Sequence, residues 1–215
     1  MKKKLMTVLA LVLVIAMSVV GTYAYLTSHD TVTNTFTVGN VQIKLDEAAA
    51  NADGSLVYKD DGQTLADRVK ANDYKLLPGH KYNKDPMVTV LKGSESSYVK
   101  MTVTFSKAAE LDAIFAPGAN MTSIFNGYDS TNWVLKNVTK ENNTRTYEFW
   151  YKETVDALDG DVALDPLFDS ITVPGNITND QLKTIEGMTI TVNAYAIQAD
   201  GFGTAEAAWE AYSKA

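Results

Sequence analysis

The chain has no cysteine among its 215 residues. That excludes thiol catalysis, iron–sulfur clusters, thiolate zinc sites and any disulfide framework. Histidine is almost as scarce: His29 and His80 are the only two. No His-Glu-x-x-His occurs, so a zincin-type protease has no ligand helix. Gly-x-Ser-x-Gly is missing, which removes the nucleophile elbow of an α/β-hydrolase. Gly201-Phe202-Gly203 lacks the third glycine of a phosphate-cradling loop and follows no βα unit. There is no internal repeat, no low-complexity tract and no sortase-type Leu-Pro-x-Thr-Gly. With no catalytic constellation and no metal or cofactor motif, the reading is of a protein that is not an enzyme.

Long apolar runs are also lacking, with one exception. Lys2, Lys3 and Lys4 precede an apolar stretch from Leu5 to Val20, sixteen residues long. That is short of the roughly 20 residues needed to span a bilayer. A basic patch, a run of this length and a small-residue exit form the layout of a secretory signal peptide. Thr22 and Ala24 stand at the −3 and −1 positions, so residues 1–24 are expected to be removed by signal peptidase between Ala24 and Tyr25. Glu206 to Ala215 is polar and amphipathic, with no tail anchor. Cleavage would leave 191 residues and would lower the basic count from 19 to 16 against 26 acids, a net charge of −10. Nucleic acid and anionic membrane surfaces both select a basic face, so neither is an expected partner. A chain of this length buries a sufficient core without disulfides and reads as one domain.

What remains is a β-rich pattern. Residues 25–35 are rich in Thr, Ser, Asp and Asn and read as a mobile N-terminal segment. The domain is expected over residues 36–215. Phe36 and Val38 begin an alternation that resumes, across Gly39, with Val41, Ile43 and Leu45. Residues 46–75 carry turn signals around weak elements and read as an insertion, with a helical turn or two over Thr64–Val69. Leu76-Leu77-Pro78-Gly79 is a turn. Met87–Leu91 reads as a central strand, Gly93–Ser97 as a polar loop and Tyr98–Phe105 as a half-buried strand. Lys107–Phe115 has helical composition. Trp133–Val138 and Thr146–Lys152 are two strands of a hairpin closed over Thr139–Asn143. Ile171–Val173 is a short strand, Asp180–Ile185 a short helix capped by Asn179, and Met188–Gln198 a strong strand. Thr204 caps a C-terminal helix that puts Trp209 and Tyr212 on one face. The expected fold is all-β, a β-sandwich with short helical insertions and a C-terminal helix.

Two clusters could bear on binding. Asp156, Asp159, Asp161, Asp165 and Asp169 offer oxygens around Gly160, but their spacing is not that of an EF-hand, and a solvated acidic loop explains them. Trp133, Phe149, Trp150 and Tyr151 could form a sugar platform. Alternation instead sends Phe149 and Tyr151 into the core and Trp150 to the other face.

Gly21-Thr22-Tyr23-Ala24-Tyr25-Leu26-Thr27, followed by Asn34-Thr35-Phe36-Thr37-Val38-Gly39-Asn40-Val41, resembles the start of the SipW-dependent exported proteins of Gram-positive bacteria. That family includes the TasA and camelysin type proteins of the biofilm matrix. The resemblance is specific over residues 21–45 and weak beyond. It implies a jelly-roll-like sandwich, secretion, cleavage by a dedicated signal peptidase and self-assembly into extracellular or cell-surface fibres, with accessory matrix proteins as further partners. It also implies that the N-terminal segment of one subunit completes the sheet of the next, by donor-strand complementation. The candidate donor runs from Tyr25 to about Val38, with Tyr25, Leu26, Val32, Phe36 and Val38 as its apolar points. The protease activity sometimes attached to camelysin-like proteins does not transfer. The leading expectation is a secreted structural fibre subunit. The alternative is a secreted monomeric binding or adhesion module, for instance for carbohydrate.

Overall fold

The computed structural model describes residues 39–115 and 124–214. In chain order the strands are β1 (Ile43–Asp46), β2 (Lys81–Asn83), β3 (Met87–Val90), β4 (Ser94–Phe105), β5 (Phe125–Asn126), β6 (Trp133–Glu141), β7 (Thr144–Tyr151), β8 (Val155–Ala157), β9 (Val162–Ala163), β10 (Ser170–Thr172) and β11 (Ile190–Gln198). The helices are α1 (Ala108–Phe115), α2 (Asn179–Thr184) and α3 (Ala205–Tyr212). The fold is all-β, with few and short helices.

The spine is β4. Its alternating Val99, Met101, Val103 and Phe105 have no exposed surface, while Lys100, Thr102 and Thr104 take the other face. It is central in the sheet β11-β4-β7-β6, all antiparallel, and β8 pairs with its first half. Two three-stranded sheets, β1-β3-β9 and β2-β10-β5, supply the opposing layer. Val88 and Val90 of β3, Phe125 of β5 and Ile171 of β10 share one core with Val99 to Phe105 of β4 and with Tyr147 and Phe149 of β7. Phe125 stacks on Phe168 at 4.2 Å between ring centroids and meets Tyr147 edge-on at 5.8 Å. Offset and edge-on packing of this kind adds to what burial of the rings already contributes.

Several local elements depart from the sequence expectation, each for a visible reason. Thr64–Val69 is extended, not helical. Asp61 holds Thr64 by its amide and its hydroxyl, and the backbone then pairs through isolated bridges, Leu65 with Tyr58 and Val69 with Glu47. Gly93–Ser97 is not a loop, because β4 already starts at Ser94. Ser94 and Ser97 are buried, and Ser94 Oγ accepts from the Gln42 amide at 3.0 Å. The cap of α2 is Thr178 rather than Asn179, in a reciprocal capping box with Gln181. The β6–β7 hairpin is tighter than expected: Asn142 and Asn143 both take positive φ, the two-residue turn that suits strand twist.

The expected insertion at 46–75 lacks regular elements. It returns to the domain by bridges between Glu47 and Val69, Ala50 and Leu56, and Tyr58 and Leu65. Gly54 seats it on β2. With φ at +87°, a Cβ there would come within 2.5 Å of the Lys81 carbonyl and 2.6 Å of Tyr82 Cα. The expected turn at Pro78-Gly79 is present, with Gly79 at φ +77°.

Candidate functional site

Ala24, Tyr25, Leu26, Val32, Phe36 and Val38, the residues proposed for cleavage and for the donor segment, lie outside the described residues, as does His29. The described residues can be searched for a surface that would receive an extended segment.

Such a surface lies between β1 and β11. Among the described residues each of these strands pairs with one neighbour only, β1 with β3 and β11 with β4. The inward side chains of β11 are Ile190, Val192, Ala194 and Ala196. They stand opposite Phe105, Val103, Met101 and Val99 of β4. The four on β4 are fully buried, and the four on β11 are only half-buried. Ile43 and Leu45 of β1 are likewise half-buried against the same core. Where β1 runs beside β11, apolar side chains from both layers are therefore left partly covered, an incompletely closed seam. Among the described residues the other edge of β11, a nine-residue strand, has no strand partner. The edge of β1 is partly blunted: Lys70 Nζ donates to the Leu45 carbonyl, and just past the strand Glu47 exchanges backbone hydrogen bonds with Val69. Side chains that cap an edge in this way discourage unplanned strand pairing.

At one end the seam widens into a groove of about 400 Å³, lined by Leu45, Asp46, Glu47, Lys70–Asn72, Lys84, Pro86 and Ile190–Val192. Its floor is polar and tightly paired. Arg68 bridges Asp46 at 2.6 Å and Asp85 at 2.8 Å. Lys84 meets Glu47 at 2.5 Å, and Asn72 Nδ2 donates to the other oxygen of Glu47 at 2.9 Å. Burial pulls the Asp46 carboxyl upward, but hydrogen bonds from Lys44 and Arg68 outweigh it and hold the group below the ordinary carboxylate range. Burial, with the neighbouring Glu47 charge adding to it, pushes the Tyr74 hydroxyl far above the usual phenol range. Tyr74 stays protonated and donates to the Asn83 carbonyl at 2.6 Å.

No protein-family model, curated protein or solved structure matches this chain.

The remaining candidates are placed as follows. The acidic residues of 156–169 are dispersed over separate turns. Asp161 accepts from the Lys92 amide at 2.8 Å, Asp165 from Asn132 at 2.9 Å, and Asp156 from the Leu158 amide at 3.1 Å. Among the described residues no group of three or more His, Cys, Asp or Glu gathers to hold a metal. His80 is an exposed turn residue. The aromatic set divides as alternation requires. Trp133 and Phe149 are fully buried, and Tyr151 packs edge-on against Trp133 at 5.1 Å. Trp150 lies on the outer face, where α3 brings Trp209 to 6.1 Å. Lys100 Nζ sits 4.5 Å above the Trp209 ring and Lys136 Nζ 4.5 Å above the Trp150 ring. Among the described residues no helix is long and apolar enough to cross a membrane.

Sequence reasoning did not single out Glu47, Arg68, Asn72 or Lys84. The one sequence signal, for Glu47, Arg68 and Lys84, was charge of both signs; Asn72 carried none. Their partners stand 17 to 37 positions away, so only the fold reveals the pairing.

Proposed function

We propose that the two layers are those of a jelly-roll-like β-sandwich and that the chain is a secreted, non-enzymatic structural subunit of matrix or cell-surface fibres. It would be of the SipW-dependent type that residues 21–45 resemble. The observation that carries this reading is the incompletely covered seam: a nine-residue β11 with, among the described residues, one strand neighbour, and half-covered Ile190, Val192, Ala194 and Ala196 beside half-covered Ile43 and Leu45 of β1. An extended segment with alternating apolar residues fits such an edge. Backbone hydrogen bonds give affinity and alternate side chains complete the core. The Tyr25–Val38 segment has that character at its end, in Phe36 and Val38. If one subunit's segment fills the next subunit's seam, the contact is head-to-tail and propagates as an open filament.

The test is to produce the chain beginning at Tyr25 and again with residues 25–38 removed, and to image both. Filaments from the first and monomers from the second are expected. Filaments of equal yield from both would end the donor role. The outer aromatic face offers less to a carbohydrate reading, because Trp209 is buried on the inner face of α3 and the rings are occupied with one another and with Lys100.

A further inference from the structure

Three side chains at the groove floor are arranged for a reaction with one another. The Glu47 carboxylate is shared: Oε2 accepts from Lys84 Nζ at 2.5 Å and Oε1 accepts from Asn72 Nδ2 at 2.9 Å. The amine and the carboxamide are thus held on the two oxygens of one carboxylate. The Asn72 amide is fixed at both ends. Its Oδ1 accepts from the Ala50 amide at 2.8 Å, and its Nδ2 also donates to the Ala48 carbonyl at 2.9 Å. That pattern orients the amide uniquely, with a backbone N–H aimed at the oxygen that would gain charge on attack. Lys84 is 8 % exposed and Glu47 5 %. The lysine also borders a small apolar cavity of about 30 Å³ with Tyr74, Tyr82, Phe105 and Ile190. Glu47, in direct contact with the ammonium, is placed to accept the proton that the lysine must lose before it can attack.

We propose that Lys84 and Asn72 form an intramolecular isopeptide bond, with Glu47 as the catalytic carboxylate. Glu47 takes one proton from the Lys84 ammonium, and the free amine attacks Asn72 Cγ. The new C–N bond forms as the carbonyl electrons move onto Oδ1, held by the Ala50 N–H. Glu47 passes its proton to Nδ2 and takes the remaining surplus proton from the attacking nitrogen. The Cγ–Nδ2 bond then breaks and the carbonyl reforms. Ammonia leaves through the adjoining groove, carrying that last proton as ammonium, and Glu47 is restored as a carboxylate. The net change is amine plus carboxamide to secondary amide plus ammonia, with no oxidant and no cofactor. Holding both reactants on one side chain turns a slow bimolecular reaction into a step within a single site. This inference is independent of the fibre reading.

The test is a tryptic map of the folded full chain. The bond would join residues 71–75 to residues 82–92, block cleavage after Lys84, and lower the mass of the joined pair by one ammonia. Glu47→Gln keeps the shape of the side chain and is expected to reduce the joined product at least tenfold. Lys84→Arg is expected to abolish it. Separate peptides with Lys84 cleaved and Asn72 intact in the folded wild type would overturn the proposal. So would a linear peptide that has lost ammonia at Asn72, since that is succinimide formation. A joined peptide formed equally well in Glu47→Gln would remove Glu47 from its assigned role. The wild-type map decides the bond itself whether or not a variant folds.

Discussion

Placing a charge in the seam is the sharpest test of the fibre reading. Val192 projects inward from β11, opposite fully buried Val103, and is itself half-covered. A donor strand would complete its burial. Full burial of a valine-sized side chain contributes about 1.5–3 kcal/mol, so completing a half-buried one is worth about 1 kcal/mol. A lysine at 192 forfeits that and brings an ammonium under the incoming strand, adding about 2 kcal/mol even after its stem bends toward water. The sum of about 3 kcal/mol corresponds to roughly a hundredfold rise in the concentration at which filaments form. The free subunit loses little, under about 1 kcal/mol, because the lysine can reach solvent through the open seam. Light scattering against protein concentration, with electron microscopy of the same samples, measures the threshold. Asn193→Lys, one residue on and on the exposed opposite parity, is the control and should shift it less than about twofold. Assembly of Val192→Lys at the wild-type threshold would refute the seam as the joint, and equal inhibition by Asn193→Lys would show a nonspecific charge effect.

Other consequences follow from single contacts. Arg145 is 1 % exposed and meets Asp112 of α1 with both carboxylate oxygens at 2.5 Å; Asp112→Ala should lower unfolding free energy by about 3 kcal/mol in urea titrations, and adding Arg145→Met should recover most of the loss. Gly54→Ala puts a Cβ against the Lys81 backbone at positive φ and should cost about 2 kcal/mol or more, read as a lower urea midpoint. The Asp46 carboxyl is held below its ordinary value of 3.8, so its contribution is present above that pH and is lost as pH falls through the lower folded value. The stability gap between wild type and Asp46→Asn should therefore be widest near neutrality and should close as the pH drops below about 4. A constant gap from pH 7 to pH 2 would mean that the ion pair with Lys44 and Arg68 does not set it.

Much of the strand inventory was legible because it rests on a local rule. Val99, Met101, Val103 and Phe105 alternate with polar residues, and a strand buried on one face needs that period. The same rule placed Phe149 and Trp150 on opposite faces of β7, and Thr204 showed itself as a cap by its position before an alanine-rich stretch. The misreadings share a cause. Ser94 and Ser97 looked like loop residues by composition, yet β4 extends back through them, and Ser94 is satisfied by Gln42, 52 positions away. Thr64–Val69 looked helical by content, but Asp61 and the bridges to Tyr58 and Glu47 pull it extended. Propensity yields to tertiary pairing in each case, and the pairing partner is remote in sequence. The groove was wholly hidden for the same reason, since it is built where the end of β1, the excursion at Lys70–Asn72 and the start of β11 converge.

That convergence ties the two proposals together while leaving them separable. Asn72, Glu47 and Lys84 line the same groove as Ile190–Val192. A bond between Asn72 and Lys84 would fix one wall of the seam before any segment enters, so less ordering would remain to oppose docking. It would also close the short loop from Asn72 to Lys84 and so pin the end of the excursion, which otherwise relies on isolated bridges and on the Arg68 pairs. Constraining a loop of that length in the unfolded chain is worth about 3 kcal/mol. Glu47→Gln should therefore unfold at lower temperature yet still form filaments, because the β11 edge is untouched. Val192→Lys should keep the covalent bond and lose the filaments. A chain in which both properties vanish together under either substitution would show that the groove acts as one unit and that the seam cannot be filled until the bond has formed.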